Sequence, residues 1–156
     1  MQVKDICSAK AVHVPLSCTL QEAAVQMRDR HVGALIVTEN SPAGTRAVGM
    51  VTDRDIVINA TATGADPCQT DVVEVMTRGL VAIPRDAVVA DALQLMLTHG
   101  VRRLAVLDGE AVTGVIALDD LFAALATDWG MLFSLVRKEQ ERERERSGSA
   151  PTGLHT

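Results

Sequence analysis

Apolar and polar positions alternate along the chain in a way that predicts two similar sets of strands and helices. Short apolar runs predict strands over residues 11–15, 33–37 and 47–51, and then over 80–84, 103–107 and 111–117. Helical spacing of apolar residues, or a capping residue followed by an acid, predicts helices over 19–30, 53–61, 87–100 and 118–127. Each set therefore predicts the order strand, helix, strand, strand, helix.

The two sets are copies of one repeat, because equivalent residues recur in the same order. The matching pairs are Pro15 with Pro84, Ala23 with Ala92, and Met27 with Met96. The phrases "GMVTDRD", from Gly49, and "GVIALDD", from Gly114, stand at corresponding places. The first repeat is longer between these landmarks, and the turn-rich segment 39–47 is the predicted place of the extra residues. A unit of about 60 residues is marginal alone, so the repeats are expected to interlock around a shared core.

Composition removes several classes of function. The net charge is −5, with one Trp, two Phe and no Tyr, which disfavours binding to DNA or RNA. No apolar run approaches the ~18 residues of a membrane span, and the first residues lack the pattern of a secretory signal. The three cysteines form no CxxC pair, which favours free thiols in the cytoplasm. The histidines lack metal-ligand spacing and no catalytic motif is found, so we expect no enzyme activity, no metal and no required cofactor.

The pattern changes after Thr127. The apolar segment 128–136 is expected to pack on the body of the protein or on a partner chain. In the charged segment 137–146, acids stand three residues before arginines, which favours a solvated helix, and the apolar positions of a coiled-coil seam are missing. The predicted organisation is therefore repeat 1 over 1–64, repeat 2 over 65–127, a helical extension over 128–146 and a disordered tail over 147–156.

These motifs, found twice and in the same order over residues 5–127, resemble a tandem pair of CBS domains (a Bateman module), here as a stand-alone protein. The matching elements are "VGALIV" and "VGMVTDRDI" in repeat 1, and "VRRLAVLD" and "TGVIALDDL" in repeat 2. The resemblance implies an α+β fold of two interlocked β-α-β-β-α repeats related by pseudo-two-fold symmetry, followed by the C-terminal helical extension. It also implies a homodimer that binds an adenine nucleotide or S-adenosylmethionine between the repeats and regulates another protein.

Thr52 and Asp55 carry both a local and a functional interpretation. Locally, the threonine caps a helix and the aspartate completes a capping box. The resemblance implies that Asp55 holds a ribose and that Thr52 lies near the sugar or phosphate. In repeat 2, Asp120 matches the ribose aspartate, but Ala117 replaces the threonine. Losing one neutral hydrogen bond costs about 1 kcal/mol, so the sequence predicts a weaker or empty second site.

Arg102 and Arg103 are either a solvated loop pair or a phosphate site, since the guanidinium group suits phosphate oxygens. Repeat 1 has Val32 and Gly33 there, so the polar features are split between the repeats and are predicted to converge on one cleft.

Four small or apolar residues complete the candidate nucleotide site. Gly33 and Ala34 either pack tightly or leave room for a ligand. Val12 and Val81 are either core residues or, as the resemblance implies, neighbours of the adenine. The leading hypothesis is a ligand-sensing module, and the alternative is a ligand-free interaction or scaffold domain that docks a partner protein. No nucleic acid and no membrane insertion are expected in either case.

Overall fold

The computed structural model describes residues 1–7 and 9–148, and it divides the chain into a first unit, 1–118, and a second unit that begins at Asp119. The helices are α1 (Val3–Ile6), α2 (Leu20–Arg30), α3 (Asp53–Asn59), α4 (Val89–His99) and α5 (Leu118–Gly148). The strands are β1 (Ala9–Lys10), β2 (His13–Pro15), β3 (Ala34–Ser41), β4 (Gly44–Thr52), β5 (Thr77–Arg78), β6 (Ala82–Pro84), β7 (Arg103–Asp108) and β8 (Ala111–Ala117). Short 3₁₀ turns span Thr61–Thr63 and Val72–Glu74.

The strands form two four-stranded sheets, and each sheet takes one edge strand from the other repeat. One sheet has the order β2-β3-β4-β5 and the other has the order β1-β8-β7-β6. The short strands β1 and β5 were not predicted, and they pair antiparallel with β8 and β4 respectively. This exchange of edge strands interlocks the repeats, so the predicted α+β fold of two interlocked repeats is confirmed.

Backbone hydrogen bonds recur at equivalent positions in the two repeats. The Ile36 N–H donates to the Val12 carbonyl at 2.8 Å, as the Ala105 N–H donates to the Val81 carbonyl at 3.0 Å. Likewise, the Asp53 N–H donates to the Gly33 carbonyl at 3.0 Å, as the Leu118 N–H donates to the Arg102 carbonyl at 2.9 Å. Gly33 therefore occupies the position of Arg102. Ala34 pairs with Thr52 as Arg103 pairs with Ala117. The equivalents of the two arginines are thus Gly33 and Ala34, and the expectation of Val32 and Gly33 was wrong by one residue.

The extra residues of repeat 1 lie in segment 39–47, as predicted, and they lengthen the hairpin of β3 and β4. Strands β3 and β4 stay paired as far as Ser41 and Gly44, leaving only Pro42 and Ala43 in the turn. The register of both hairpins shifts at equivalent places, between Val37 and Thr38 and between Val106 and Leu107. Hydrogen bonding between the strands satisfies these backbone groups, which a long exposed loop would leave to water.

Two apolar clusters stabilise the first unit. One gathers the fully buried Leu20, Leu35 and Val51 of repeat 1 with residues near the start of repeat 2, among them Val72. The other joins the two sheets through four buried side chains, namely Ala34, Ile36, Ala105 and Val115. Full burial of one such leucine or isoleucine contributes about 1.5–3 kcal/mol, so the shared cluster favours folding of the repeats together.

The second unit is described from Asp119 to Gly148, and it consists of the continuation of α5. This helix has 31 residues and runs across the boundaries predicted at residues 127 and 146, because no proline interrupts it and a single interior glycine is tolerated. Ser147 and Gly148, from the tail predicted to be disordered, end α5. The rest of that prediction, 149–156, lies outside the described residues.

Candidate functional site

A cleft of about 480 Å³ lies within the first unit, where α3 of repeat 1 meets the loop between α4 and β7 of repeat 2. Its size falls within the roughly 300–1,000 Å³ of small-molecule sites. The lining residues are Met50, Thr52, Arg54, Asp55, 77–81 and 100–103. Both repeats therefore contribute polar and apolar groups to one cavity, as the split of features between them predicts.

The start of α3 places two polar groups at the cleft. Thr52 Oγ1 accepts a hydrogen bond from the Asp55 N–H at 3.1 Å, and Asp55 Oδ2 accepts one from the Thr52 N–H at 2.9 Å. The predicted capping box is confirmed. The Thr52 hydroxyl can still donate its proton, and within 1–7 and 9–148 no hydrogen bond is made to Asp55 Oδ1. A hydroxyl and a carboxylate oxygen at a half-buried site are suited to the hydroxyl groups of a sugar.

Arg103 connects the two repeats. Its Nη2 lies 3.8 Å from Asp53 Oδ1, and its side chain is 30 % exposed against 63 % for Asp53. Gly33 lies directly beside this ion pair, since a Cβ added there would stand 3.1 Å from both Arg103 Nη2 and Asp53 Oδ2. Gly33 therefore leaves room for the guanidinium to reach repeat 1, and it is not among the residues that line the cleft.

Positive charge dominates the cleft in a chain whose net charge is negative. Four arginines line it, at positions 54, 78, 102 and 103, together with the single carboxylate of Asp55. Arg54 and Arg78 were missed in the sequence. Arg54 stands between Thr52 and Asp55 in the sequence, and this place beside two candidate residues was the available signal. Arg78 lies on β5, and only the exchange of edge strands brings it to repeat 1.

The predicted site residues divide into those that meet and those that do not. Thr52, Asp55, Arg102, Arg103 and Val81 all line the cleft. The other four lie elsewhere. Gly33 stands beside the Arg103–Asp53 pair, Ala34 is buried in the shared core, Val12 borders a separate depression with His13 and Arg30, and Asp120 is on α5 in the second unit.

Gly49, the first residue of "GMVTDRD", shapes the cleft indirectly. A Cβ at this position would stand 2.5 Å from the Thr77 carbonyl oxygen and 3.2 Å from Met76 Sδ. Only glycine lets the backbone of β5 approach β4 this closely, and β5 begins the stretch 77–81 of the cleft wall. The glycine of the repeated phrase is therefore explained by packing of the exchanged strand.

In the described part of the chain, we find no reactive cysteine at Cys18, no candidate metal site and no helix suited to span a membrane. Burial, with Glu22 and Asp71 nearby, raises the pKa of the Cys18 thiol to about 11, which keeps it protonated and unreactive. Across 1–7 and 9–148, His, Cys, Asp and Glu form no group of three or more able to hold a metal ion. Within the same residues, none of the helices combines the length and the apolar character needed to span a bilayer.

Two interlocked repeats with a cleft between them define the class of tandem CBS pairs. The chain belongs to the CBS domain family, whose sequence pattern matches residues 3–60 and 72–127. It is 41 % identical over 119 residues to CBS domain-containing protein YhcV of Bacillus subtilis, covering 76 % of this chain and 81 % of that protein. It is 32 % identical over 118 residues to Hypoxic response protein 1 of Mycobacterium tuberculosis, covering 76 % and 80 %.

Solved structures share this fold. The hexameric CBS-CP12 protein from bloom-forming cyanobacteria superimposes with a TM-score of 0.72 at 26 % identity, over 94 % of this chain and 85 % of that chain. The crystal structure of Hypoxic Response Protein I, which contains two coordinated zinc ions, gives 0.64 at 31 % identity over 79 % and 98 %.

Proposed function

We propose that this CBS pair is a regulatory module that binds a phosphate-bearing adenosine ligand in the cleft and passes its occupancy to a partner protein. CBS pairs are in general regulatory modules. The observation that carries the proposal is the meeting of Thr52 and Asp55 from repeat 1 with Arg102 and Arg103 from repeat 2 in one cavity. The ligand would be bound by side chains of both repeats, so its occupancy would favour one arrangement of the repeats.

Each group in the cleft has a distinct role in this proposal. Asp55 Oδ1 accepts hydrogen bonds from the ribose hydroxyls, and the Thr52 hydroxyl donates to the sugar or to the first phosphate. Arg102 and Arg103 hold the phosphates through charge-assisted hydrogen bonds, each of which contributes about 1.5–3 kcal/mol. Val81 belongs to the apolar part of the wall, which contacts the flat faces of the adenine.

The excess of arginines favours AMP, ADP or ATP over S-adenosylmethionine. The phosphates of the nucleotides are anionic, whereas the sulfonium centre of S-adenosylmethionine is cationic and would lie among like charges. We therefore expect affinity to rise with the number of phosphates until the arginines within reach are used. High salt should weaken binding of the nucleotides, because it screens these charges.

The repeat symmetry also implies that the two nucleotide sites of the pair are unequal. Among the repeat equivalents of the cleft residues, Asp120 keeps the carboxylate of Asp55, whereas Ala117 replaces Thr52, and Gly33 and Ala34 replace the arginine pair. This equivalent set lacks the hydroxyl and both guanidinium groups. We expect one strong nucleotide site in each chain.

Self-association is part of the proposal. The structurally similar CBS-CP12 protein is hexameric, which supports assembly of this chain into at least a homodimer. The regulated protein is expected to recognise the assembled pair. A nucleotide can shift the pair between two states only to the extent that it binds one of them more tightly.

Thermal unfolding with AMP, ADP, ATP and S-adenosylmethionine tests the proposal. A nucleotide at 100 times its Kd should add about 2.7 kcal/mol to the free energy of unfolding. Arg102→Ala should weaken the effect of the nucleotides, and Arg28→Ala, which changes an exposed arginine outside the cleft, should not. Absence of stabilisation by all four compounds would refute the proposal and favour the ligand-free interaction domain.

A further inference from the structure

Helix α5 carries a stripe of exposed apolar side chains that the nucleotide cleft does not use. Phe122, Leu125, Trp129, Leu132 and Val136 are 36–59 % exposed, and their spacing alternates between three and four residues. Such spacing is the heptad pattern of a coiled-coil seam. Phe133, which is 66 % exposed, lies beside Trp129 with their ring centroids 6.5 Å apart. These six residues are called the α5 stripe below.

The exposed area of the α5 stripe lies at or above the upper end of what a typical monomer exposes in one apolar patch. Its three aromatic residues are 58–66 % exposed, and its three aliphatic residues are 36–55 % exposed. With about 150–250 Å² for a whole aromatic side chain, the stripe leaves roughly 500–700 Å² accessible, at or above the 300–600 Å² of the largest patch on a typical monomer. Two such stripes in contact would bury roughly 1,000–1,400 Å², which reaches the size of specific dimer interfaces.

Charge next to the stripe favours a second copy of this chain as the occupant. Residues 137–146 contain five cationic and four anionic side chains, so this part of α5 is close to neutral. A strongly acidic or basic partner, or an anionic lipid surface, would select for a single sign of charge. A self-complementary heptad stripe with balanced flanking charge is suited to an identical helix.

The heptad continues beyond the stripe to Glu139 and Glu143. In a parallel pair these carboxylates would face their own copies, and like charges there are destabilising. An antiparallel pair centred near Gly130 keeps the charged ends apart and places Trp129 opposite Leu132 of the second copy.

We propose that the α5 stripe is the docking surface for the same stripe of a second copy, packed antiparallel. This inference rests on the self-association proposed above and identifies the surface responsible for it. It does not depend on nucleotide binding, so its test uses the full chain without nucleotide.

Sedimentation equilibrium and tryptophan emission test the inference together, because Trp129 is the only tryptophan. The wild type should have at least twice the mass of Leu132→Glu, and its emission should lie at shorter wavelength and move to longer wavelength on dilution. Met131→Glu is the matched control, because Met131 is 62 % exposed on the opposite face of α5. It should keep the wild-type mass. Both replaced side chains are exposed, and dilution of the wild type supplies a readout that needs no variant.

The contrary outcomes are distinct. A monomeric wild type would overturn both this inference and the proposed self-association. A wild-type oligomer whose mass is unchanged in Leu132→Glu would overturn this inference alone. A short-wavelength emission that needs added phosphatidylcholine vesicles, with a monomeric mass, would assign the stripe to a lipid surface and overturn it as well.

Discussion

Replacing Thr52 with alanine gives repeat 1 the residue that repeat 2 has at position 117. The change removes the acceptor of the hydrogen bond from the Asp55 N–H, 3.1 Å long, at the start of α3. Loss of such a cap costs about 0.5–2 kcal/mol of folding free energy, which lowers Tm by a few degrees in a chain of this size. The variant also loses the hydroxyl that faces the cleft. One neutral hydrogen bond is worth about 1 kcal/mol, so nucleotide affinity should fall about fivefold.

Thr52→Ser is the matched control, because it keeps the hydroxyl and removes only a methyl group. Isothermal titration calorimetry with ATP should give the serine variant an affinity close to that of the wild type, whereas calorimetry and thermal unfolding should both show losses for the alanine variant. If the alanine variant loses stability while its Kd for ATP stays equal to that of the wild type, Thr52 acts only as a helix cap. The proposed contact between Thr52 and the ligand would then be refuted.

Other contacts lead to three further predictions. Asp53→Asn should raise nucleotide affinity by up to about fivefold in calorimetry, because it frees Arg103 from an exposed pair worth about 0.2–1 kcal/mol. Gly49→Ala should destabilise the fold by about 1–3 kcal/mol in denaturant unfolding, because its Cβ meets the Thr77 carbonyl oxygen. The raised pKa of Cys18 stabilises the folded state below pH 9, so the free energy of unfolding should fall between pH 9 and 11, and Cys18→Ala should remove this fall.

Each of these predictions has a control within the chain. Asp29→Asn removes an exposed acid paired with Arg28, away from the cleft, and should leave nucleotide affinity unchanged. Gly130→Ala, whose new Cβ would have no atom within 4 Å in the described part of the chain beyond its chain neighbours and the backbone of its own helix, should not destabilise the helix. Cys68 is exposed and should react with iodoacetamide at pH 8 while Cys18 does not. An equal gain in nucleotide affinity in Asp53→Asn and Asp29→Asn would contradict the first prediction. An unchanged free energy of unfolding in Gly49→Ala would contradict the second, and rapid alkylation of Cys18 would contradict the third.

Local signals in the sequence predicted the long strands and the helices α2 to α5, but they missed the four-residue helix α1. The capping boxes Thr19–Glu22 and Thr52–Asp55 form as expected, because each depends only on residues three positions apart. Strands β1 and β5 were not predicted, because each has two residues, which is too few to show an alternating pattern of apolar and polar positions. Their pairing depends on residues of the other repeat, which no local pattern contains.

The candidate site was predictable as far as the repeat itself carried the information. Convergence of Thr52 with Arg103 was expected because features missing from one repeat were present in the other. The role of Gly33 was not predicted, because this glycine acts through the space that it leaves for the ion pair of Arg103 with Asp53. Arg78 could not be found because its contribution depends on the exchange of β5.

The exchange of edge strands also determines when each edge strand can pair during synthesis on the ribosome. The edge partner of β4 is β5, which is synthesised early in repeat 2. The partner of β1 contains Gly114 and Val115, which are synthesised roughly 100 residues and about 5–20 s after β1 itself. During that interval the partner strand of β1 has not yet been synthesised. A strand of only two residues, the second of which is the positively charged Lys10, offers neighbouring nascent chains little backbone to pair with.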